Sequence, residues 1–176
     1  MDKYKIYIMK SIRKMHFSFM ALFLVNLIVA QGKPTSSKEV ATGKINDATI
    51  TINYGSPSVN ARPIWGALVP FNQVWRAGAN DATTFETDKD VTIEGAKLPA
   101  GKYSFFVIPN EKECIIIFNK EAKQWGAYKY KEKEDQLRVA VKLQVAKVAV
   151  QKLVYTINKK NVVLSWEKWN IPISIK

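Results

Sequence analysis

Histidine is nearly missing from this chain. Its one copy, His16, lies in an apolar N-terminal stretch rather than in the part that reads as folded. With no imidazole in the folded part, Ser-His-Asp and Cys-His nucleophilic machinery has no base within one chain, and His-ligated zinc, copper or haem sites have no ligands. Cysteine is as scarce. Cys114 stands alone, which excludes an intrachain disulfide. Set in Glu113-Cys-Ile-Ile-Ile-Phe118, it reads as a small buried hydrophobe, because no neighbouring cation or helix start would lower its pKa. Only 8 Gly and 7 Pro occur among 176 residues that are 47% apolar, which excludes a low-complexity chain. Internal repeats, a phosphate-binding glycine loop and a helical stripe after Gln31 are also missing. What remains is one ordered domain, large enough to bury its own core.

Acidic residues are in deficit, with a formal charge of +12, but part of that charge belongs to the N-terminal segment. The first 33 residues hold six basic residues and one acid, so they carry +5 and leave +7 to the rest. A basic region ending at Lys14, an apolar run from Phe17 to Ala30 and then Gln31-Gly32 form the layout of a secretory signal, residues 1–30, with cleavage after Ala30. At 1.5 Å per residue the run of about 14 residues is too short to span a bilayer comfortably, so no stable membrane span is expected after cleavage. No cysteine follows the run to take a lipid. Met1, Met9 and Met15 are all candidate starts, and each leaves the same expectation: an exported protein, periplasmic or extracellular. Residues 31–39 read as a flexible lead-in and residues 40–176 as a single β domain.

Within that domain the apolar period is two. Ile50, Ile52 and Tyr54 alternate with threonine and asparagine until Gly55-Ser-Pro57. Short β-type runs at Thr83–Thr87 and Val91–Glu94 flank Asp88-Lys-Asp90. Leu98-Pro-Ala-Gly101 has the chemistry of a turn and launches Tyr103–Ile108. Ile115–Phe118 is apolar on both faces and so belongs inside a sheet. Leu137, Val139, Val141, Leu143 and Val145 share one face, which predicts a long half-buried strand. A phase change predicts a bulge near Gln151-Lys152, Asn158-Lys-Lys-Asn161 a hairpin turn, and Pro172 a sheet edge. The fold class is all-β: an antiparallel β-sandwich or barrel-like domain with one long irregular loop.

That loop, Arg62-Pro-Ile-Trp65-Gly-Ala-Leu-Val-Pro-Phe-Asn-Gln-Val-Trp75-Arg76-Ala-Gly78-Ala-Asn80-Asp81, concentrates two Trp, two Arg, two Pro and two Gly. Arg62 and Arg76 offer guanidinium forks to a carboxylate, phosphate or sulfate, or else tie a long loop to its own carbonyls. Trp65 and Trp75 offer stacking platforms or core, and Trp65, beside Gly66, has the stronger claim to exposure. Gly78 serves a close backbone approach or a tight turn. Asn80 caps a turn or presents an amide. Asp81 and Glu86 are candidates for the acid–base pair of a carboxylate hydrolase, which needs about 5 to 9.5 Å between its carboxyls. Asp88-x-Asp90 resembles the start of a calcium loop, but Ile93 stands where glycine is required, so a plain turn is the better reading. Trp125-Gly-Ala-Tyr128-Lys-Tyr130-Lys-Glu-Lys133 alternates aromatics with charges; such a stretch can stack and steer an anionic polysaccharide, or a nucleic acid in another compartment, but the mixed signs and the expected export favour a solvated hairpin face.

Thr51-Ile-Asn-Tyr-Gly-Ser-Pro57, Arg62-Pro-Ile-Trp-Gly-Ala-Leu-Val-Pro70, Val74-Trp-Arg-Ala-Gly-Ala-Asn80 and Leu98-Pro-Ala-Gly-Lys-Tyr-Ser-Phe105 resemble the secreted bacterial family catalogued as domain of unknown function 2911. Ala61, before the Arg, and Cys114 depart from its usual glycine and tryptophan. The resemblance implies an exported, mostly β domain and brings no established activity. The expected function is therefore non-enzymatic binding of a ligand or partner through the Arg62–Asp81 loop, with Arg62, Trp65, Arg76 and Asn80 as contacts. A histidine-free hydrolase or lyase acting on glycans (Asp81, Glu86) and an envelope interaction domain are the alternatives. The sequence gives no reason to expect a cofactor or metal. An anionic small molecule or glycan is the expected partner, and nucleic acid is not.

Overall fold

The computed structural model describes residues 36–176; the proposed signal, residues 1–30, lies outside the described residues. Ten strands follow in order: β1 (Ser37–Ile45), β2 (Ala48–Ser56), β3 (Thr83–Thr87), β4 (Val91–Ile93), β5 (Ala96–Leu98), β6 (Gly101–Pro109), β7 (Glu113–Asn119), β8 (Asp135–Lys142), β9 (Gln144–Ile157) and β10 (Asn161–Ser174). Among the described residues a single 3-10 turn, Glu132–Glu134, precedes β8. Six strands form one antiparallel sheet in the order β1-β2-β3-β6-β7-β8, while β9–β10 and β4–β5 form two small sheets. The arrangement is sandwich-like and all-β, as the alternation requires.

The registers sort the side chains of the large sheet into two faces. Ile52 lies opposite Phe85, Phe85 opposite Tyr103, Phe105 opposite Phe118 and Cys114 opposite Val141, and all of these join one core with Leu153, Tyr155, Leu164, Trp166, Ile171 and Ile173 of the β9–β10 ribbon. Each fully buried side chain of this size stabilises the fold by about 1.5–3 kcal/mol relative to exposure. The other face begins with Val40, Asn53, Thr84, Ser104 and Asn119 in one cross-strand row. A smaller cluster covers part of this outer face, with Phe106 and Ile117 beneath Ala82, Ala127 and Tyr130. This is why β6 and β7 are apolar on both faces: they alone are covered twice.

Local chemistry accounts for the turns. Glu94 (φ 47°) and Gly95 (φ 88°) are both left-handed and join β4 to β5 in the two-residue turn that suits strand twist. Sequence alternation did not reveal β5, since three residues carry no period. Asn158 and Asn161 close the β9–β10 turn, Asn158 N–H to Asn161 C=O at 2.9 Å. The ribbon then breaks register at two places. Between the Ser165–Val154 and Glu167–Val150 pairs β9 advances by four positions and β10 by two, so the expected bulge around Gln151-Lys152 is present, and a second one follows beside Glu167 (φ 51°). The bend brings the N–H of Ile175 to within 2.9 Å of the C=O of Lys160.

Two expectations need correction. The strand predicted to run from Leu137 to Val145 stops at Lys142, and Val145 is 72% exposed. β7, its partner, starts at Glu113 opposite Lys142, so beyond that residue no ladder is available and the chain leaves the sheet at Leu143. The alternation continues across the break because it records faces, not partners. The lead-in is also shorter than expected, since Ser37, Lys38 and Glu39 already pair with Ser56, Gly55 and Tyr54 in β1.

Candidate functional site

The long connection splits into a packed half and a half that borders a cleft. In the first, Arg62, itself exposed, turns two of its donors back to the chain just before it: Nε donates to Val59 C=O at 3.1 Å and one Nη to Ser58 C=O at 2.6 Å. Trp65 stacks on Trp169 with centroids 4.2 Å apart and planes at 8°, and meets Trp75 and Trp166 edge-on at 5.6 and 5.9 Å. Phe71 extends the stack onto Trp169 at 6.0 Å. The indole N–H groups of Trp65 and Trp166 find no partner, so these rings are kept for their apolar area. Trp75 then pairs with Val107 through two backbone hydrogen bonds of 2.8 and 2.9 Å, and Asn72 N–H reaches Pro109 C=O at 2.9 Å. This segment takes the place beside β6 that β3 leaves open, because β3 stops pairing at Thr83 opposite Phe105.

The second half is a backbone knot. The C=O of Ala77 (φ 51°) accepts two hydroxyls, from Thr83 at 3.0 Å and Tyr155 at 2.8 Å. The N–H of Ala79 donates to Gly55 C=O at 3.1 Å. A Cβ on Gly55 would stand 2.1 Å from the Ala79 oxygen, and one on Gly78 would stand 2.8 Å from Thr83 Oγ1 and 2.9 Å from the Gly55 oxygen. Both positions therefore demand glycine by close approach rather than by φ. Asn80 (φ 66°) and Ala82 pair in turn with Gly126 and Gln124, at 3.1 and 3.0 Å. Residues 124–126 become a strap across the outer face.

Between strap and sheet lies a cleft of about 700 Å³. Asn53 and Thr84 form its floor, the amide donating to the hydroxyl at 3.4 Å, while Asn80 and Asp81 form one wall and Gln124 and Trp125 another. Trp125 is 60% exposed. Lys38, Lys102, Lys123 and Lys129 border the cleft, against Glu39 and Asp81 as carboxylates. Lys38 meets Asp81 at 3.8 Å, and both side chains stand in solvent, where such a pair contributes little. Lys102 is also paired with Glu86 at 3.2 Å, so the lysines leave a small positive excess at the rim, which favours an anionic occupant.

The structure thus brings together Asn80, Asp81 and Trp125 and separates them from Arg62 and Trp65. Arg76 does not line the cleft; its Cδ lies 4.0 Å from where a Cβ of Gly126 would stand, its Nε is buried without a partner, and no carboxylate lies within 4.0 Å among the described residues. Asp81 and Glu86 are held by different lysines, Glu86 by Lys102 at 3.2 Å, and five residues of extended chain set their Cα atoms roughly 16 Å apart. Asp88 and Asp90 are turn anchors. The first accepts Thr49 N–H at 2.7 Å and the second accepts Ala100 N–H at 2.9 Å, and these donors hold both carboxyls below their ordinary pKa. No cluster of three His, Cys, Asp or Glu among the described residues suits a metal.

The stretch read as a solvated hairpin face is not a hairpin. Tyr128 does stand 83% exposed, but Tyr130 packs edge-on against Phe106 at 5.3 Å. Its hydroxyl donates to Asp135 at 2.6 Å, and Asn119 Nδ2 donates to the other carboxylate oxygen at 2.8 Å; burial, and after it the bond to Asp135, pushes the phenol pKa up. This buried anchor sits at the foot of the segment that carries the strap. Asn53, Thr84 and Gln124 escaped the reading of the sequence because they lie on separate segments; the only signal for Asn53 and Thr84 was the polar half of each strand's alternation, and Gln124, off any strand, had none. Among the described residues no helix is long and apolar enough to cross a membrane.

Comparison with curated proteins and with solved structures finds no match. Over residues 36–175 the chain matches the family described as Protein of unknown function (DUF2911), and it belongs to that family.

Proposed function

We propose that this chain is an exported, non-enzymatic binding domain whose outer-face cleft takes an anionic small molecule or glycan. The observation that carries the reading is Trp125. Of the five tryptophans it alone stands largely in solvent, at the wall of a cleft whose floor offers an amide and a hydroxyl and whose rim offers four lysines. An exposed ring over polar groups suits the apolar face of a sugar, and the lysines suit its acid. The basic and apolar N-terminal segment supports export. The hydrolase reading is weaker, since five residues of extended chain set Asp81 and Glu86 roughly 16 Å apart, beyond the separation of about 5 to 9.5 Å that such a pair needs.

Calorimetric titration of the purified domain with acidic oligosaccharides tests this. Wild type should bind, and Trp125→Ala should weaken binding by about tenfold. No heat from wild type across a panel of uronic-acid and sulfated oligosaccharides would end the proposal.

A further inference from the structure

Three arginines lie among the described residues, and the least exposed of them is the one without a partner. Arg62 and Arg138 stand exposed yet are tied, Arg62 to two carbonyls and Arg138 to Glu132 at 2.7 Å and Asp135 at 3.5 Å. Arg76 is half-buried, and its guanidinium meets neither a hydrogen-bond acceptor nor a carboxylate among the described residues. A cation drawn out of water without a partner is costly, so an anion that supplies one gains more there than at a fully solvated arginine. Only one end of the guanidinium is open to such an anion. Nε is sealed from solvent, whereas the two Nη atoms are not, and together they form a fork that fits the two oxygens of a carboxylate end-on.

The backbone fixes where this fork stands. Trp75 pairs with Val107 and both side chains enter the main core, so Val74 and Arg76 on either side turn to the outer face, where Val74 joins the cluster of Phe106 and Ile117. Arg76 Cδ lies 4.0 Å from where a Cβ of Gly126 would stand, and the Tyr128 ring, 83% exposed, comes within 3.0 Å of the same point. Gly126, bare and left-handed (φ 61°), thus lets the arginine stem and the tyrosine ring lie together against the strap. We infer that Arg76 and Tyr128 form a second binding site, outside the cleft, for the carboxylate of a ring-bearing organic acid, a uronic-acid unit being the type. The Nη fork takes the carboxylate, and the exposed ring covers the carbon skeleton that carries it. The site stands apart from the cleft, none of whose walls it shares, and either can bind if the other does not.

Titration of the purified domain with a uronic-acid tetrasaccharide, followed by proton–nitrogen NMR, reads both sites at once. The Nε–H of Arg76 reports its guanidinium, and the indole N–H of Trp125 reports the cleft. The Arg76 signal should move to saturation, and Arg76→Gln, which removes the fork, should bind the tetrasaccharide about tenfold more weakly by calorimetry. If Trp125 moves while Arg76 stays, the inference is overturned and the cleft reading stands. If Arg76 moves and Trp125 stays, the inference stands and the cleft reading falls; if neither moves, both fall. An Arg76→Gln domain that binds as tightly as wild type overturns the inference whatever the signals do. Should Arg76→Gln fail to fold by circular dichroism, Tyr128→Ala, whose ring stands in solvent, takes its place: weakening of about threefold or more supports the site, and unchanged affinity overturns it.

Discussion

Four tryptophans and a fifth divide this molecule. Trp65, Trp75, Trp166 and Trp169 stack into one block between the long connection and the β9–β10 ribbon, whereas Trp125 stands at a cleft on the opposite face of the sheet. The residue type is the same and the environments are opposed. The block includes two residues of the most distinctive motifs, Trp65 and Trp75, and its work is to fix a long loop onto the core. The motif that looks most like a site thus packs largely against the core, and the cleft proposed as a binding surface is assembled mostly from residues outside that motif. Changes in the block should cost folding, and changes at the cleft should cost binding alone.

The sharpest way to break that division is Trp166→Ala. Trp166 is 1% exposed and touches both Trp65 and Trp75, so its loss leaves a large cavity and should destabilise by about 3–5 kcal/mol. Urea unfolding measures it. A loss under 1 kcal/mol would show that the block is not what holds the connection down.

Alkali probes the interior without mutation. Burial raises the pKa of the Cys114 thiol to about 11 and raises those of Tyr54, Tyr103 and Tyr155, while for Tyr130 the bond to Asp135 adds to burial. These groups are favoured neutral in the folded state. Their contribution is fully present below the unfolded values of 9 for Cys and 10 for Tyr, and is lost as pH rises through the higher folded values. For Cys114 alone that is on the order of 2–3 kcal/mol between about pH 9 and 11. The urea midpoint should fall steeply over that interval; a flat midpoint would mean the interior opens at little cost.

Gly55→Ala tests the knot between the two regions. A methyl group there would meet the Ala79 oxygen at 2.1 Å, and backbone cannot move aside as a side chain can. About 1–3 kcal/mol of destabilisation is expected from overpacking, together with weakened ligand binding, since Gly55, Ala79 and Asn80 all border the cleft. If stability falls while affinity holds, the knot supports only the core.

Most of the architecture was legible because burial on one face writes a period of two into the chain. Ile50, Ile52 and Tyr54 gave β2, and Asn158 with Asn161 gave the last turn. Leu143 and Val145 misled for the same reason, since alternation persists where the hydrogen-bonded partner has ended. The candidate site was legible only in Asn80, Asp81 and the Trp125 stretch, whose stacking reading was the less favoured one. Asn53, Thr84 and Gln124 come together through cross-strand register and through a strap anchored by the Tyr130–Asp135 bond, and neither leaves a mark in local sequence.

Trp125→Ala is the counterpart of Trp166→Ala and should have the smallest effect on folding. Its ring stands 60% in solvent and belongs to neither core cluster, so truncation should change stability by no more than about 0.5 kcal/mol. The backbone bridge between Asp81 and Trp125 needs no side chain and should hold the strap in place. Measured side by side, the two substitutions separate what the tryptophan block does from what the cleft does. If Trp125→Ala unfolds as readily as Trp166→Ala, the ring is a structural clamp on the strap, and the case for the cleft as a binding surface loses its main support.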